Sequence, residues 1–268
     1  MPMLVSLVHP AAPQGTIPPA ARTSAVAVIP ARYQSSRLPG KPLADIGGRP
    51  MVEHVYRRAQ AAASVHAVLV ATDDARIRDA VAAFGGEARM TAAAHRSGTE
   101  RLAEAARDLR CDIVVNLQAD EPLVDPRAID LVVQALDENP GVPMSTVRCP
   151  LAGGGELTDP NVVKVVVDAD EFALYFSRAA IPYQGEAGGG PVAGTWRHVG
   201  LYAYRREFLL RVAALAPTPL ERVERLEQLR ALEHGYRIRT VEVAGEPVGV
   251  DTPGDLDRVR RIVAGGAA

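Results

Sequence analysis

Apolar residues follow two spacings along the chain, and these predict alternating strands and helices. From residue 25 onward, short β-branched runs alternate with longer stretches in which apolar residues recur every third or fourth position. This alternation is typical of βαβ units and predicts an α/β fold with a mostly parallel, mixed sheet and helices on both faces. The predicted strands are 25–30, 65–71, a short one near 89, 113–118, 144–149, 198–204 and 238–243. The predicted helices are 50–62, 74–84, 97–109, 125–138, 220–234 and 253–263.

The second half of the chain departs from this alternation. Val162–Val167 and Phe172–Ser177 flank a short polar turn with no helix between them, which predicts a β-hairpin in a small subdomain. The glycine-rich stretch 185–194 is predicted to be a mobile loop. We therefore interpret residues 25–263 as one domain, followed by a short tail at 264–268.

Residues 1–24 follow neither spacing and contain five prolines. We interpret them as a disordered N-terminal extension or as the result of a misassigned start codon. The apolar run Met3–Val8 has no cationic flank and ends at His9 and Pro10, so a secretory signal is disfavoured.

Composition narrows the class of protein. Hydrophobic residues make up 47% of the chain and charged residues 23%, as in an ordinary globular domain. The net charge of −2 means that a polyanion site must be a local cluster of cations, so nucleic acid is not an expected partner. The two cysteines lack metal-ligand spacing, which disfavours zinc and favours the cytoplasm. Membrane insertion is not expected, because no stretch reaches the roughly 18–20 apolar residues that a spanning helix needs.

Three cations, Arg32, Arg37 and Lys41, lie in the loop after the first predicted strand. Ligands of open α/β sheets bind outside the carboxyl ends of the strands, where these side chains can neutralise phosphate oxygens. The Pro39–Gly40 turn would hold Lys41 near the strand end. The alternative is a solvated loop that is basic by chance, since neither glycine-rich phosphate motif is present.

Two aspartates, Asp120 and Asp251, each follow an apolar run and are predicted to meet at the same edge of the sheet. Magnesium is usually held by one or two carboxylates together with substrate phosphates, so this pair predicts a Mg²⁺ site. The alternatives are a turn residue for Asp120 and a helix-cap extension for Asp251. Asp73 and Glu121 are further candidate ligands, although Asp73 is expected to cap its helix.

Four polar residues, His198, Tyr202, Glu227 and Gln228, lie beside apolar stretches. A histidine on a strand is more often a structural residue than a catalyst, and Glu227 would ordinarily occupy the solvated face of a helix. Spacing alone assigns none of them a function.

A series of motifs in fixed order identifies a resemblance. The motifs are Ile29–Arg32, Arg37–Leu43, Ser97–Arg101, Gln118–Pro122, Arg197–Tyr202, Glu227–Arg230 and Gly249–Pro253. Over about residues 25–263, the chain resembles the 3-deoxy-manno-octulosonate (Kdo) cytidylyltransferases, also called CMP-Kdo synthetases.

This resemblance implies a Rossmann-like nucleotidyltransferase fold and a homodimer, with sugar-binding and dimerisation elements at about 155–235. It implies transfer of CMP from CTP to the anomeric hydroxyl of Kdo, an acidic 3-deoxy-ulosonic sugar, with release of pyrophosphate, for lipopolysaccharide or other cell-surface polysaccharide synthesis. It carries over Arg32 and Lys41 as catalytic triphosphate ligands, Ser97 and Gly98 as part of the cytosine pocket, and Asp120 and Asp251 as metal ligands. It carries over Gln118, His198, Tyr202, Glu227 and Gln228 as the sugar pocket, with Arg37 between the two substrates.

One position departs from the family pattern, which usually has glycine where this chain has Ala119. Glycine there would be explained by a positive φ or by close approach of the backbone to a ligand. Three other functions compete with the one implied: a CMP-transferase for an 8-amino-Kdo or sialic-acid type of sugar, an NTP:sugar-1-phosphate nucleotidyltransferase, and a catalytically silent nucleotide-binding module. Retention of both Asp120 and Asp251 disfavours the silent module.

Overall fold

A mixed β-sheet forms the centre of the protein. The computed structural model describes residues 23–34, 38–95, 97–183, 194–245 and 248–266. Within these ranges the strands are β1 (Ala25–Ala31), β2 (Asp45–Ile46), β3 (Arg49–Pro50), β4 (Val65–Thr72), β5 (Ala88–Met90), β6 (Ile113–Asn116), β7 (Met144–Pro150), β8 (Lys164–Val167), β9 (Ala173–Ser177), β10 (Thr195–Arg205) and β11 (Ile238–Glu242). The main sheet has the order β11-β7-β10-β6-β1-β4-β5, while β2 and β3 form a separate hairpin. The predicted N-terminal extension up to residue 22, most of the glycine-rich loop and Arg37 lie outside the described residues.

Strand pairing confirms the predicted mixed α/β fold. β1 pairs in parallel with β4 and β6, and β4 pairs in parallel with β5, whereas β10 runs antiparallel to β6, β7 and β8. The hairpin predicted at 162–177 is present as β8 and β9, and it joins the main sheet through β10. The strand predicted at 113–118 ends at Asn116, so Gln118 lies in the loop that follows.

Helices cover both faces of the sheet. They are α1 (Met51–Gln60), α2 (Ala75–Ala83), α3 (Gly98–Ala106), α4 (Pro126–Asp137), α5 (Gly154–Thr158), α6 (Arg206–Ala214), α7 (Pro219–Glu224), α8 (Leu229–Glu233) and α9 (Pro253–Gly265), with a short 3-10 helix at Lys41–Leu43. Successive strand residues point to opposite faces. Ala27 and Ile29 of β1 therefore pack on the side of α1 and α4, and Val26 and Val28 on the side of α3 and α6. None of the helices in the described ranges has the length and apolarity needed to cross a membrane.

Side-chain caps fix where several helices begin. Asp125 accepts a hydrogen bond from the Arg127 N–H at 2.9 Å and starts α4, as predicted. The prediction that Asp73 caps α2 is wrong, because the cap is Asp74, whose carboxylate accepts from the Arg76 N–H at 2.9 Å. Asp73 instead accepts a hydrogen bond from the Arg101 guanidinium at 2.9 Å.

The single helix predicted at 220–234 is wrong, because the chain breaks into α7 and α8. Arg225 adopts a left-handed conformation with φ 56°, which stops the helical hydrogen bonding after Glu224. The apolar spacing continues across the break, and for that reason the sequence pattern does not reveal it. Glu227 and Gln228 consequently lie in an irregular segment instead of on a helix face.

Two helices were not predicted. α6 follows β10 directly, and no side chain caps its first turn, so the sequence carries neither a loop nor a cap signal there. α5 has only five residues and contains two glycines.

Candidate active site

A tight turn presents Lys41 at the carboxyl end of β1. The Gly40 N–H donates to the Tyr33 carbonyl at 2.9 Å, and Gly40 has φ 69°. A Cβ at this position would approach the Tyr33 ring to 3.2 Å, so both the backbone conformation and the available space favour glycine. The 3-10 helix that begins at Lys41 then directs the lysine across the sheet edge.

The Lys41 ammonium joins the two predicted metal ligands. Its Nζ lies 2.5 Å from Asp120 Oδ2 and 3.3 Å from Asp251 Oδ1, and it also donates to the Val250 carbonyl at 3.0 Å. The Val250 N–H in turn donates to the Asp120 carbonyl at 2.9 Å. Two segments that are distant in sequence are therefore fixed side by side. We call Lys41, Asp120 and Asp251 the carboxylate edge.

The chemistry of the carboxylate edge fits a magnesium ion. Two carboxylates converge on one positive group, and their side chains remain 31% and 54% exposed, which leaves room for phosphate oxygens and water. The described residues contain no group of three or more His, Cys, Asp and Glu side chains that could hold a metal. The described part of the chain thus supplies a partial ligand set, which is the usual arrangement for Mg²⁺ bound through substrate phosphates. Asp73 is engaged by Arg101 and is not part of this set.

Glu121 lies next to this pair but differs from it in charge. Burial raises the pKa of its carboxyl to about 7, the negative charge of Asp120 adds to the effect, and Arg197 opposes it. Below that pH the side chain is mostly protonated.

Arg32 and the pair Ser97 and Gly98 reach the same side of the sheet. β1 and β6 are parallel neighbours, and their last paired residues are Val28 and Asn116. Arg32 follows Val28 by four positions, and Asp120 follows Asn116 by four positions. Ser97 caps α3, since its hydroxyl accepts from the Glu100 N–H at 3.2 Å. Their roles as triphosphate and cytosine ligands stay predictions, as does that of Arg37.

A pocket of about 390 Å³ collects the predicted sugar-binding residues, and we call it the polar pocket. Its lining includes Gly98, Thr99, Asn116, Gln118, Asn161, Val162, Val163, Arg197, His198, Gly200, Tyr202, Tyr204, Arg225, Leu226, Glu227 and Gln228. Gln118 is two residues before Asp120, so the polar pocket adjoins the carboxylate edge. The structure thus brings together residues from β6, β10 and the α7–α8 break.

His198 is a neutral, well-packed member of this lining. Its Nε2 lies 3.0 Å from the Thr146 hydroxyl, and its ring meets the Phe176 ring edge-on at 4.8 Å. Burial lowers the pKa of the imidazole to about 3. His198 can therefore offer a hydrogen bond to a ligand, whereas proton transfer near neutral pH is not available to it.

Gln228 lines the polar pocket and carries a buried donor without a partner in the described part of the chain. The residue is 7% exposed, and its Nε2 has no hydrogen-bond partner among the described residues. A buried donor without a partner costs about 1–3 kcal/mol. The neighbouring Glu227 carboxylate accepts a hydrogen bond from the Thr99 hydroxyl and so ties the break to the start of α3.

Sequence reasoning missed several lining residues, among them Thr99, Asn116, Arg197 and Tyr204. Asn116 is the polar residue of an otherwise apolar strand and is 3% exposed, which is a signal that could have identified it. Burial raises the pKa of the neighbouring Tyr204 phenol, so this group stays protonated as a donor. Thr99 lies within the motif Ser97–Arg101, but its role in the lining depends on its contact with Glu227, which joins distant segments.

Ala119 does not need the conformational freedom of glycine. The described non-glycine residues with positive φ are Glu171 and Arg225, so the Ala119 backbone suits any L-residue. Its methyl group packs, partly buried, against the core on the α1 and α4 side of the sheet.

Comparison with known proteins identifies the family of this chain. The cytidylyltransferase family matches residues 26–238. The chain is 53% identical to a 3-deoxy-manno-octulosonate cytidylyltransferase of Syntrophotalea carbinolica, over 90% of this chain and 99% of that protein. It is 50% identical to the enzyme of the same name from Geobacter sulfurreducens, over 87% of this chain and 96% of the relative.

A solved structure shows the same fold. The structure of a CMP:2-keto-3-deoxy-manno-octonic acid synthetase complexed with CTP superposes with a TM-score of 0.86 at 47% identity and covers 91% of this chain and 100% of its own. A cytidylyltransferase from Leptospira borgpetersenii, 17% identical over 90% of this chain and 87% of its own, shares the fold with a TM-score of 0.59. The chain therefore belongs to the 3-deoxy-manno-octulosonate cytidylyltransferase family.

Proposed function

We propose that this protein transfers CMP from CTP to the anomeric hydroxyl of Kdo and releases pyrophosphate. One observation carries the proposal: the Lys41 ammonium lies between Asp120 and Asp251 at the strand ends, beside a pocket with a buried, unused donor. The relatives that match most of the chain carry the name of this activity.

The reaction joins two anions. The sugar hydroxyl oxygen forms a bond to the α-phosphorus of CTP, the bond from that phosphorus to the pyrophosphate oxygen breaks, and the hydroxyl proton is released. Lys41 and Arg32 offset the charge of the triphosphate, which lets the carboxylate sugar approach. We propose that Asp120 and Asp251 hold Mg²⁺, which would neutralise phosphate charge and make the hydroxyl more acidic.

The polar pocket suits a polyhydroxylated acceptor. Gln228 offers a buried donor, and the protonated Tyr202, whose phenol pKa is raised by burial, offers another. A site built from placed hydrogen-bonding groups discriminates strongly against ligands that leave them unpaired. This favours a specific sugar over the loose recognition of a silent binding module.

The proposal is tested by measuring pyrophosphate release with CTP, Mg²⁺ and a panel of acceptors: Kdo, 8-amino-Kdo, a sialic acid and a sugar 1-phosphate. We expect release with Kdo, no release with UTP or GTP, and loss of activity with EDTA that Mg²⁺ restores. Absence of release with every 3-deoxy-ulosonic acid would contradict the activity. Unchanged activity after EDTA treatment would contradict the metal alone.

We further propose a homodimer that works in the cytoplasm for lipopolysaccharide or other surface polysaccharide synthesis. Large apolar side chains are exposed on β9 and α7, including Leu174 at 61% and Val223 at 81%, and a second copy would cover them. CTP is a cytoplasmic nucleotide, and Cys111 and Cys149 are both free thiols. Light scattering of Val223→Glu, with Ile262→Glu on α9 as the exposed control, tests the dimer: the first variant should be monomeric and the second dimeric.

A further inference from the structure

We propose that Lys164, Arg178 and Glu224 are positioning residues that hold two walls of the polar pocket at a fixed separation. One wall is the segment 161–163, and the other is the segment 225–228. None of the three residues lines the pocket itself. The expected change in the KM for Kdo rests on the proposed function. The expected change in hydrogen–deuterium exchange does not depend on activity.

Lys164 is a fully buried cation that holds the first wall. Its side chain donates to the carbonyl oxygens of Asp159 at 2.9 Å and Val162 at 2.6 Å, and to that of Arg178, at the end of β9, at 2.6 Å. All three of these partners are backbone carbonyls. Burial lowers the pKa of the amine, which shows the cost of placing it there. The ammonium thus fixes the loop before β8 against β9.

Arg178 continues the connection to the second wall. Its guanidinium donates to the Pro160 carbonyl at 2.9 Å, on the first-wall side, and to the Glu224 carbonyl at 2.9 Å. Its backbone N–H donates to the Glu224 carboxylate at 2.9 Å. Arg178 therefore contacts the residue directly before each wall, Pro160 for the first and Glu224 for the second.

Glu224 anchors the second wall. Its carboxylate also accepts hydrogen bonds from the Ser177 hydroxyl at 2.6 Å and the Tyr175 hydroxyl at 3.3 Å, so four groups fix the last residue of α7. The chain then turns at Arg225 into Glu227 and Gln228, which line the pocket. A displacement of Glu224 would move the unused Gln228 donor relative to Val162 across the pocket.

The test uses Lys164→Met, which keeps the length of the side chain and removes the ammonium. We expect the KM for Kdo to rise about tenfold or more, with the KM for CTP unchanged within about twofold, because small misplacements of a binding group weaken orientation strongly. Hydrogen–deuterium exchange should increase in both 159–163 and 225–228.

Arg205→Met is the matched control. The Arg205 guanidinium also binds three carbonyls, those of Leu136, Asn139 and Val142, but none of these residues lines the polar pocket. Arg205→Met should lower Tm. It should not raise the KM for Kdo selectively, and it should not increase hydrogen–deuterium exchange at the two walls. Glu224→Gln serves if Lys164→Met does not fold, and the same selective changes are expected.

The positioning role would be overturned if Lys164→Met raised the KM for Kdo and the KM for CTP equally. It would also be overturned if hydrogen–deuterium exchange at the two walls matched that of Arg205→Met. Wild-type protein without Kdo activity would instead contradict the proposed function. The exchange measurement would still decide the connection between the walls.

Discussion

The carboxylate edge and the polar pocket adjoin each other but differ in the charge and the solvent exposure of their side chains. The carboxylate edge consists of charged side chains that are partly exposed, with 31% of Asp120 and 54% of Asp251 accessible. The polar pocket has buried, uncharged groups such as the neutral His198 and Gln228, which is 7% exposed, beside the charged lining residues Arg197, Arg225 and Glu227. In the proposed reaction, the first region would offset the phosphate charges and the second would provide hydrogen bonds to the sugar.

This difference predicts which substitutions affect only activity and which also affect stability. Exposed ion pairs contribute about 0–1 kcal/mol to folding, so substitutions at the carboxylate edge should affect turnover and leave the fold intact. Buried polar groups contribute to both, because an unsatisfied donor costs about 1–3 kcal/mol. Substitutions in the polar pocket should therefore change stability and sugar binding together.

The largest effect is expected from Asp120→Asn at the carboxylate edge. Turnover should fall by about 100- to 1000-fold or more, because the carboxylate proposed to hold the charge-neutralising Mg²⁺ is lost, while Tm should stay nearly unchanged. Steady-state kinetics with CTP and Kdo and a thermal melt measure both quantities. Asp137→Asn, an exposed aspartate at the end of α4, is the control. Normal turnover at ordinary Mg²⁺ concentration would remove Asp120 from the site.

Gln228→Leu in the polar pocket is expected to weaken sugar binding and to increase the stability of the fold. The KM for Kdo should rise about tenfold because a donor is lost, and the free energy of unfolding should rise by about 1 kcal/mol because a buried unsatisfied group is removed. Kinetics and urea unfolding test this, with Gln134→Leu on the exposed face of α4 as control. Loss of stability would show that Nε2 has a partner after all.

The pH dependence of stability should show a contribution from His198. The imidazole pKa is about 3 in the folded protein, against about 6.5 in the unfolded chain, so only the unfolded chain takes up this proton as the pH falls from 6.5 to 3. The His198 contribution therefore lowers stability toward acid by up to about 1.4 kcal/mol per pH unit in that window. Urea unfolding of wild type and His198→Gln at pH 7 and pH 5 should show a shallower acid dependence in the variant. Identical slopes would contradict the buried, neutral state.

The smallest effect is expected from Ala119→Gly between the two regions. Because Ala119 has no positive φ, turnover should stay within an order of magnitude, and stability should fall by about 0.5–1 kcal/mol through the added freedom of the unfolded chain. Turnover with Kdo and with 8-amino-Kdo measures the effect. A much larger change for one sugar would show that the methyl group selects the substrate.

The sequence by itself determined most of the strands and helices and the position of the charged residues. Strand and helix spacing predicted β1, β4 and α4, and residues directly after strands marked Lys41 and Asp120, because the carboxyl ends of parallel strands share one edge. The ordered motifs then assigned the family. These signals are local, so they can be read from neighbouring positions along the chain.

Only the tertiary structure decided how the polar pocket is made. The α7–α8 break depends on the left-handed Arg225, which the uninterrupted apolar spacing conceals, and it carries Gln228 into the pocket. The contacts of Lys164 with Asp159 and Arg178 join segments that no periodic pattern relates. A strand or helix period reports which face of an element is buried, whereas the partner of a buried polar group depends on the packing of distant segments.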